Sequence, residues 1–183
     1  MRLLVTREMY YDAAMRLLAT EGVSSLKIAR LCRELNVSSG SFYGYFGSLD
    51  GFVADFLDYW EETQTANVVE MSLAPVDPKK RVRALKELGG GLPHDAEAAI
   101  RGWAHTNERV AAAQKRVDAR RQQAMADVIG PIVGNRAQAR KLAAMGMALL
   151  IGLQQWKSPV TKRDYNLLFN EYERVIMDHV DRD

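Results

Sequence analysis

The sequence has little cysteine, little proline and little net charge. Its 183 residues contain one cysteine, five prolines and a formal net charge of +2. A single cysteine, Cys32, excludes an internal disulfide and a thiolate metal site, so we expect a reducing, cytoplasmic setting. The most apolar stretch, residues 143–153, is too short to cross a bilayer, so no membrane partner is expected. The small net charge gives little indication of nucleic acid by itself.

The sequence also lacks the motifs of common enzyme classes. It has no paired Glu-x-x-His ligands, no glycine-rich phosphate loop after a strand and no nucleophile elbow. Its three histidines, His94, His105 and His179, do not have the spacing of metal ligands. We therefore expect no enzymatic activity, no cofactor and no metal site. Cys32 lies on an apolar helix face and is interpreted as a buried hydrophobic residue, not as a redox sensor.

What the sequence does contain is helical periodicity along most of its length, without strand-like alternation. This pattern predicts an all-α protein with clear breaks at Gly89-Gly90-Gly91, Gly130-Pro131 and Ser158-Pro159. The predicted helices cover about residues 6–21, 25–35, 39–46, 49–72, 78–88, 95–106, 107–129, 137–156 and 161–180.

The first three helices have specific start and stop signals. Thr6 and Ser38 are suitable N-caps, and Gly22 can end the first helix in a left-handed conformation. Asn36 stands at a tight corner, where asparagine tolerates positive φ better than other non-glycine residues. Two short helices joined by such a corner, after a first helix, are typical of a three-helix DNA-binding domain.

The residues of this region resemble the helix-turn-helix of the TetR family of transcriptional regulators. The resemblance rests on the pair Ala13-Ala14, on Gly22, and on Val-Ser-Ser-Gly-Ser-Phe-Tyr at 37–43 before Tyr45-Phe46. It covers about residues 10–56. It implies an N-terminal helix-turn-helix DNA-binding domain, residues 1–48, and a C-terminal helical-bundle domain for ligand binding and dimerisation, residues 49–183.

The candidate DNA contacts lie at the corner and on the third helix. Ser38 would cap that helix and direct its N–H groups towards a phosphate, while short hydroxyls and a tyrosine can reach bases or phosphates. By resemblance, the tyrosines correspond to phosphate-contacting aromatic residues of the family. The predicted DNA-binding residues are Lys27, Ser38, Ser39, Ser41, Tyr43, Gly44 and Tyr45.

Two positions depart from the family pattern in a way that bears on DNA affinity. Many members carry a lysine where this sequence has Ser39, and most carry one where it has Leu49. Each missing lysine removes a phosphate contact, and the salt dependence of binding scales with the number of phosphates neutralised. We therefore expect weaker DNA binding with a shallower salt dependence than in a strongly basic relative.

The last two predicted helices lie where the family places its dimer interface. Small residues in the first of them allow close helix approach, and a two-fold four-helix interface is expected from them. A homodimer would place two recognition helices about 34–36 Å apart, one turn of DNA. The small residues are Ala143, Ala144, Gly146, Ala148 and Gly152.

A ligand pocket is expected between the long fourth helix and the helices near residues 95–129. Such pockets are mostly apolar with a few polar groups. The aromatic stripe of the fourth helix primarily indicates core packing, and its residues are expected only secondarily to line a pocket. The predicted ligand-binding residues are Phe56, Tyr59, Trp60, Trp103, His105 and Met125, with Asn107 and Gln122 as further polar candidates.

Together these features predict a dimeric repressor that leaves a palindromic operator in double-stranded DNA when a small apolar effector binds. An activator is also compatible with the sequence. The alternative is a helical ligand-binding dimer whose DNA binding is weak or vestigial. The missing lysines favour this alternative.

Overall fold

The computed structural model describes residues 5–179, and across that range every regular element is helical. The all-α prediction is therefore confirmed. No helix among the described residues is both long and apolar enough to span a membrane. The helices are α1 Arg7–Glu21, α2 Ile28–Leu35, α3 Ser39–Phe46, α4 Leu49–Glu61, α5 Asn67–Leu73, α6 Pro78–Gly89, α7 His94–Ala104, α8 Glu108–Val133, α9 Arg136–Trp156 and α10 Lys162–Met177.

The chain divides into two compact units. Among the described residues, the first contains residues 5–60 together with Pro93–Gln114, and the second contains Glu61–Leu92 together with residues 115–179. The predicted boundary between residues 48 and 49 divides a DNA-binding domain from a ligand-binding domain. Because this is a division by function, it stays a prediction.

Aromatic rings fill the interior of the first unit. Tyr10 meets Phe42 and Phe46 edge-on, with ring centroids 5.7 and 5.3 Å apart. Phe52 meets Phe46 edge-on at 5.0 Å and stacks on Phe56 at 5.9 Å. All five rings are buried. The aromatic stripe of α4 is thus core packing, and it fixes α1, α3 and α4 to one another.

In the second unit, tyrosines of α10 fit against glycines of neighbouring helices. The Tyr172 hydroxyl donates to the Leu142 carbonyl at 2.6 Å, and a Cβ on Gly146 would lie only 2.5 Å from that hydroxyl. The Tyr165 hydroxyl likewise donates to the Lys86 carbonyl at 3.0 Å. Burial raises the pKa of both tyrosines, so the hydroxyls stay protonated donors at neutral pH.

The second helix begins three residues later than its pattern predicts. Val23–Ser25 form a 3-10 turn, in which the Ser25 hydroxyl donates to the Gly22 carbonyl at 2.6 Å. Lys27 is then extended, and α2 begins at Ile28. Gly22 has φ 74° and ψ −174°, so it ends α1 at positive φ but not in the left-handed helical conformation predicted for it.

Two further predictions on the later helices need correction. The helix predicted over 49–72 is interrupted by a π-helical turn, Glu62–Ala66, between α4 and α5. The break predicted at Gly130-Pro131 is wrong, because α8 continues to Val133. Pro131 lies in the last turn, where it removes one helical hydrogen bond, and Gly134 at φ 60° then ends the helix. The other boundaries agree to within two residues, and residue 180, the predicted end of α10, lies outside the described range.

Candidate nucleic-acid interface and ligand cavity

The corner between α2 and α3 has the geometry that its residues predict. Asn36 is left-handed, with φ 53° and ψ 48°, and ends α2. Ser38 is extended, and its hydroxyl accepts from the Ser41 N–H at 3.4 Å at the start of α3. Leu31 and Phe42 are fully buried and hold the two helices together. The corner therefore fixes the orientation of α3 relative to α2.

Five of the seven predicted DNA contacts are exposed. Ser38, Ser39, Tyr43 and Gly44 lie at the start of α3 or along it, and Tyr43 is 52% exposed. Lys27 is exposed at the start of α2. The structure thus brings four predicted residues together on one short helix, and their role in binding DNA stays a prediction.

The other two predicted contacts, Ser41 and Tyr45, are half-buried, and their hydroxyls bond within the protein. The Tyr10 hydroxyl donates to Ser41 Oγ at 3.1 Å, which leaves the Ser41 proton available to an outside acceptor. Tyr45 donates its proton to the Val5 carbonyl. A phosphate accepts but does not donate, so contact through Tyr45 Oη requires that this bond be exchanged.

Two glycines on α3 leave part of its surface without side chains. A glycine inside a helix costs about 0.5–1 kcal/mol relative to alanine. A Cβ on Gly44 would meet nothing within 4 Å, and a Cβ on Gly40 would meet only Ser38 Oγ at an ordinary 3.7 Å. Neighbouring atoms of the chain therefore do not require glycine at either position. The helix backbone at Gly40 and Gly44 is open to close approach from outside.

Two arginines of the first unit are engaged by carboxylates. The Arg30 guanidinium binds Glu21 at 2.6 Å and Glu34 at 2.9 Å, and this hydrogen bonding lowers the pKa of the Glu21 carboxyl. Arg7 pairs with Asp55 and also donates to the Tyr45 carbonyl at 2.7 Å. These pairs reduce the positive charge that the DNA-binding region offers to phosphates.

The interpretation of Cys32 as a buried hydrophobic residue agrees with its surroundings. Cys32 is 6% exposed, and its thiol donates to the Ser38 carbonyl at 3.7 Å. Burial raises its pKa, which disfavours the reactive thiolate.

A cavity lies within the second unit. It encloses about 690 Å³ of space, its open mouth included, and its interior is narrow. Most of the wall is apolar, from α5, α6, α8, α9 and α10, as in small-molecule sites generally. The lining includes Val68, Val69, Val82, Leu85, Leu92, Ala124, Met125, Ile129, Leu150, Phe169 and Ile176.

A small number of polar side chains reach this wall. Thr65 and Arg121 form one group, and the Arg121 guanidinium donates from Nε to Thr65 Oγ1 at 3.1 Å. Lys86 and Glu173 form a second, ion-paired group, in which Arg83 also lies 3.5 Å from the Glu173 carboxylate. Among residues 5–179 there is no cluster of three or more histidine, cysteine or acidic side chains arranged for a metal ion.

Of the predicted ligand-binding residues, Met125 lines this cavity and the other five lie in the first unit. Phe56 and Trp60 are fully buried, and Trp60 Nε1 donates to Glu97 Oε1 at 3.4 Å. The Tyr59 hydroxyl donates to Asp12 at 3.2 Å.

The remaining two predicted residues lie near the end of α7. Trp103 borders a polar surface cleft of the first unit together with Asn107, and His105 is exposed at the C-cap of α7. Sequence reasoning did not identify the cavity aromatics of α10, although Tyr165, Phe169 and Tyr172 repeat at helical spacing. It also did not identify Arg121.

Residues 11–55 match the family described as bacterial regulatory proteins, tetR family. No curated protein sequence matches the chain. Among solved structures, a transcriptional regulator from Rhodococcus sp. Rha1 superimposes with a TM-score of 0.77 at 16% identity, covering 95% of this chain and 97% of that one. A TetR transcription regulator from Haloarcula marismortui gives 0.72 at 20% identity, covering 96% of each chain.

A third solved structure comes from Saccharomonospora viridis, a candidate transcriptional regulator in complex with choline. It gives a TM-score of 0.69 at 19% identity, covering 97% of this chain and 96% of that one. At such identities the likeness establishes the fold, and the matched N-terminal segment adds the helix-turn-helix. Residues 11–55 thus match the helix-turn-helix segment of the tetR family, and the chain shares its fold with solved transcriptional regulators.

Proposed function

We propose that this protein represses transcription as a homodimer bound to an approximately palindromic operator, and that a small effector releases it. The observation that carries the proposal is the exposed face of α3, with Ser39, Tyr43 and Gly44 open on a helix held by a filled aromatic core. A rigid support keeps such contacts in the geometry that base reading needs.

The start of α3 has a defined role in this proposal. Its first N–H groups, with Ser38 as cap, form a positive helix end suited to a phosphate. Ser39 and Tyr43 supply hydroxyl donors, and Lys27 adds a cation at the start of α2. Gly44 allows the DNA to approach the helix backbone closely. Phosphate contacts fix the position of α3, and hydroxyl contacts to base edges select the sequence.

The exposed side of α9 favours a dimer. Ala144, Ala148 and Gly152 repeat every four residues and are all exposed, so they form one row of small residues along the helix. Large apolar side chains beside the row, Met145 and Trp156, are 53% and 70% exposed. A row of small residues bordered by exposed apolar ones suits close two-fold packing against a second copy.

The cavity of the second unit is the proposed effector site. Its apolar wall and few polar groups are those of a small-molecule site, and the choline complex of the S. viridis protein supports a small organic effector in this fold. Release requires that the effector prefer a conformation that binds DNA poorly. A coupling of about 1–3 kcal/mol is typical and acts equally in both directions, so operator should weaken effector binding by the same factor.

The second candidate is a ligand-binding dimer with weak or vestigial DNA binding. The observation that favours it is the pairing of Arg7 and Arg30 with carboxylates, together with Ser39 and Leu49 at positions where relatives carry lysine. The two candidates differ in one measurable property, which is sequence-specific retention of DNA.

The test is selection of genomic fragments of the source organism by the purified protein, followed by sequencing. A Tyr43→Ala variant is run in parallel, with Val76→Ala as control because Val76 is 91% exposed in the loop before α6. Enrichment of a short palindrome by wild type and control, lost in Tyr43→Ala, supports the repressor. Absence of enrichment from a folded protein that sediments as a dimer favours the second candidate, and a monomer contradicts both.

A further inference from the structure

The outward side of α3 is bare backbone. Phe42 and Phe46 are buried, and at 3.6 residues per turn positions 40 and 44 lie about 160° from the mean direction of these two rings. Both positions are glycine, and both are exposed. The line of α3 that faces directly away from the buried rings, Gly40 and Gly44, therefore carries no side chain. We call it the glycine stripe.

Neither glycine of the stripe is required by the chain itself. Neither has positive φ, and a Cβ would clash at neither position. Two glycines weaken an eight-residue helix, because glycine is a poor helix former. What a stripe without side chains provides is close approach of a partner to the helix backbone.

The side chains of α3 do not supply the usual base-specific contacts. Guanine is commonly read by Arg or Lys, adenine by Asn or Gln, and cytosine by Asp or Glu. The sequence of α3, Ser39–Phe46, contains none of these residue types. The hydroxyls of Ser39, Ser41 and Tyr43 can both donate and accept, so they bond to more than one kind of base edge and distinguish bases poorly.

One group in the major groove fits a stripe that has no polar side chain. The thymine C5-methyl is the apolar group that a base pair presents there, and it makes apolar contacts with proteins. Against glycine Cα–H groups, the polar edges of a G·C pair would lose water and gain no hydrogen bond. In an A·T pair the methyl contact offsets part of that loss. With the stripe on the groove floor, Ser41 and Tyr43 point about 80° to either side, towards the groove walls and their phosphates.

We propose that each operator half-site carries thymine under the glycine stripe, and that Gly40 and Gly44 select it by direct contact between their Cα–H groups and the thymine methyl. The inference rests on the proposed binding of DNA through α3, and it adds the base and the atoms that are read. Positions 40 and 44 are about 6 Å apart along the helix axis, so the stripe covers about two base-pair steps.

The experiment removes the methyl group alone. In the operator obtained by selection, each thymine is replaced in turn by deoxyuridine, symmetrically in both half-sites, and the affinity of the full chain is measured by fluorescence anisotropy. We expect one or two neighbouring positions to weaken binding by about fifteenfold, which corresponds to about fourfold for each buried methyl. Thymines outside the stripe should change the affinity by less than about twofold.

Alanine variants show whether the glycines make this contact, and neither added Cβ clashes within the chain. Gly44→Ala should weaken binding to the thymine operator by about tenfold, because its methyl occupies the space of the thymine methyl. On the deoxyuridine operator that space is vacant, so the same variant should bind within about threefold of wild type. Gly40→Ala should behave likewise at the neighbouring position. The control is Gly102→Ala, an exposed glycine of α7 that should bind both operators as wild type does.

The contrary outcomes are distinguishable. If the selected half-site has no thymine, or if deoxyuridine nowhere weakens binding by more than about twofold, the methyl contact is wrong while the repressor proposal stands. If deoxyuridine weakens binding equally for wild type and both stripe variants, the glycines do not read the methyl, which overturns the inference. If no operator is selected, the proposed binding of DNA through α3 fails, and this inference with it.

Discussion

The two units of the chain use aromatic side chains in different ways. In the first, Tyr10, Phe42, Phe46 and Phe52 are buried and pack ring against ring. In the second, Phe169 stacks on Tyr165 at 4.2 Å, yet both border the cavity. A stripe of aromatic residues on a helix therefore does not by itself indicate a pocket. What distinguishes the two sets of rings is that those of the second unit border a cavity.

The largest effect expected from this comparison is on the free energy of unfolding. Phe42→Ala removes a fully buried ring from the filled core and should cost about 3–5 kcal/mol. Phe169→Ala should cost about 1 kcal/mol less, because one side of that ring already borders open space. Urea denaturation of both variants checks this order. An equal or larger loss for Phe169→Ala would show that the second unit is packed as tightly as the first.

A smaller effect is expected where a tyrosine fits against a glycine in the second unit. Gly146→Ala places a Cβ 2.5 Å from the Tyr172 hydroxyl and should destabilise the protein by about 1–3 kcal/mol through overpacking. The control is Gly102→Ala in α7, where a Cβ meets nothing within 4 Å and stability should stay the same or rise. Thermal unfolding distinguishes the two variants, and an unchanged midpoint for Gly146→Ala would refute the close packing of α9 against α10.

The DNA-binding region offers a third comparison, with the resembled family pattern in which position 39 is a lysine. Ser39→Lys adds one phosphate contact, so log K against log salt should steepen by about 0.9. The matched control is Gln123→Lys, an exposed position on α8, which should leave the slope unchanged. The measurement is a fluorescence titration of binding to the selected operator at several salt concentrations. An unchanged slope for Ser39→Lys would mean that position 39 does not face a phosphate.

Local chemistry decided which parts of the fold could be predicted from sequence. The caps at Thr6 and Ser38 and the left-handed Asn36 follow from side chains that act on the nearest backbone groups. The helix-turn-helix could therefore be predicted from the sequence. The π turn and the position of Arg121 depend on packing between α8 and a segment more than fifty residues earlier, which no local pattern encodes. The predicted ligand-binding residues of α4 are aromatic. An aromatic stripe on a helix is compatible both with core packing and with a pocket wall, so the sequence does not distinguish the two.

The most direct test of the DNA-binding surface is a pair of measurements on Gly44→Ala. No neighbouring atom of the chain requires glycine there, so alanine should raise the free energy of unfolding by about 0.5–1 kcal/mol. If DNA approaches the backbone of α3 at this position, the same change should weaken binding to the selected operator by about tenfold, roughly 1.4 kcal/mol. A more stable variant with weaker operator binding is the predicted result. A more stable variant that binds the operator as well as wild type would contradict the assignment of this face of α3 to DNA.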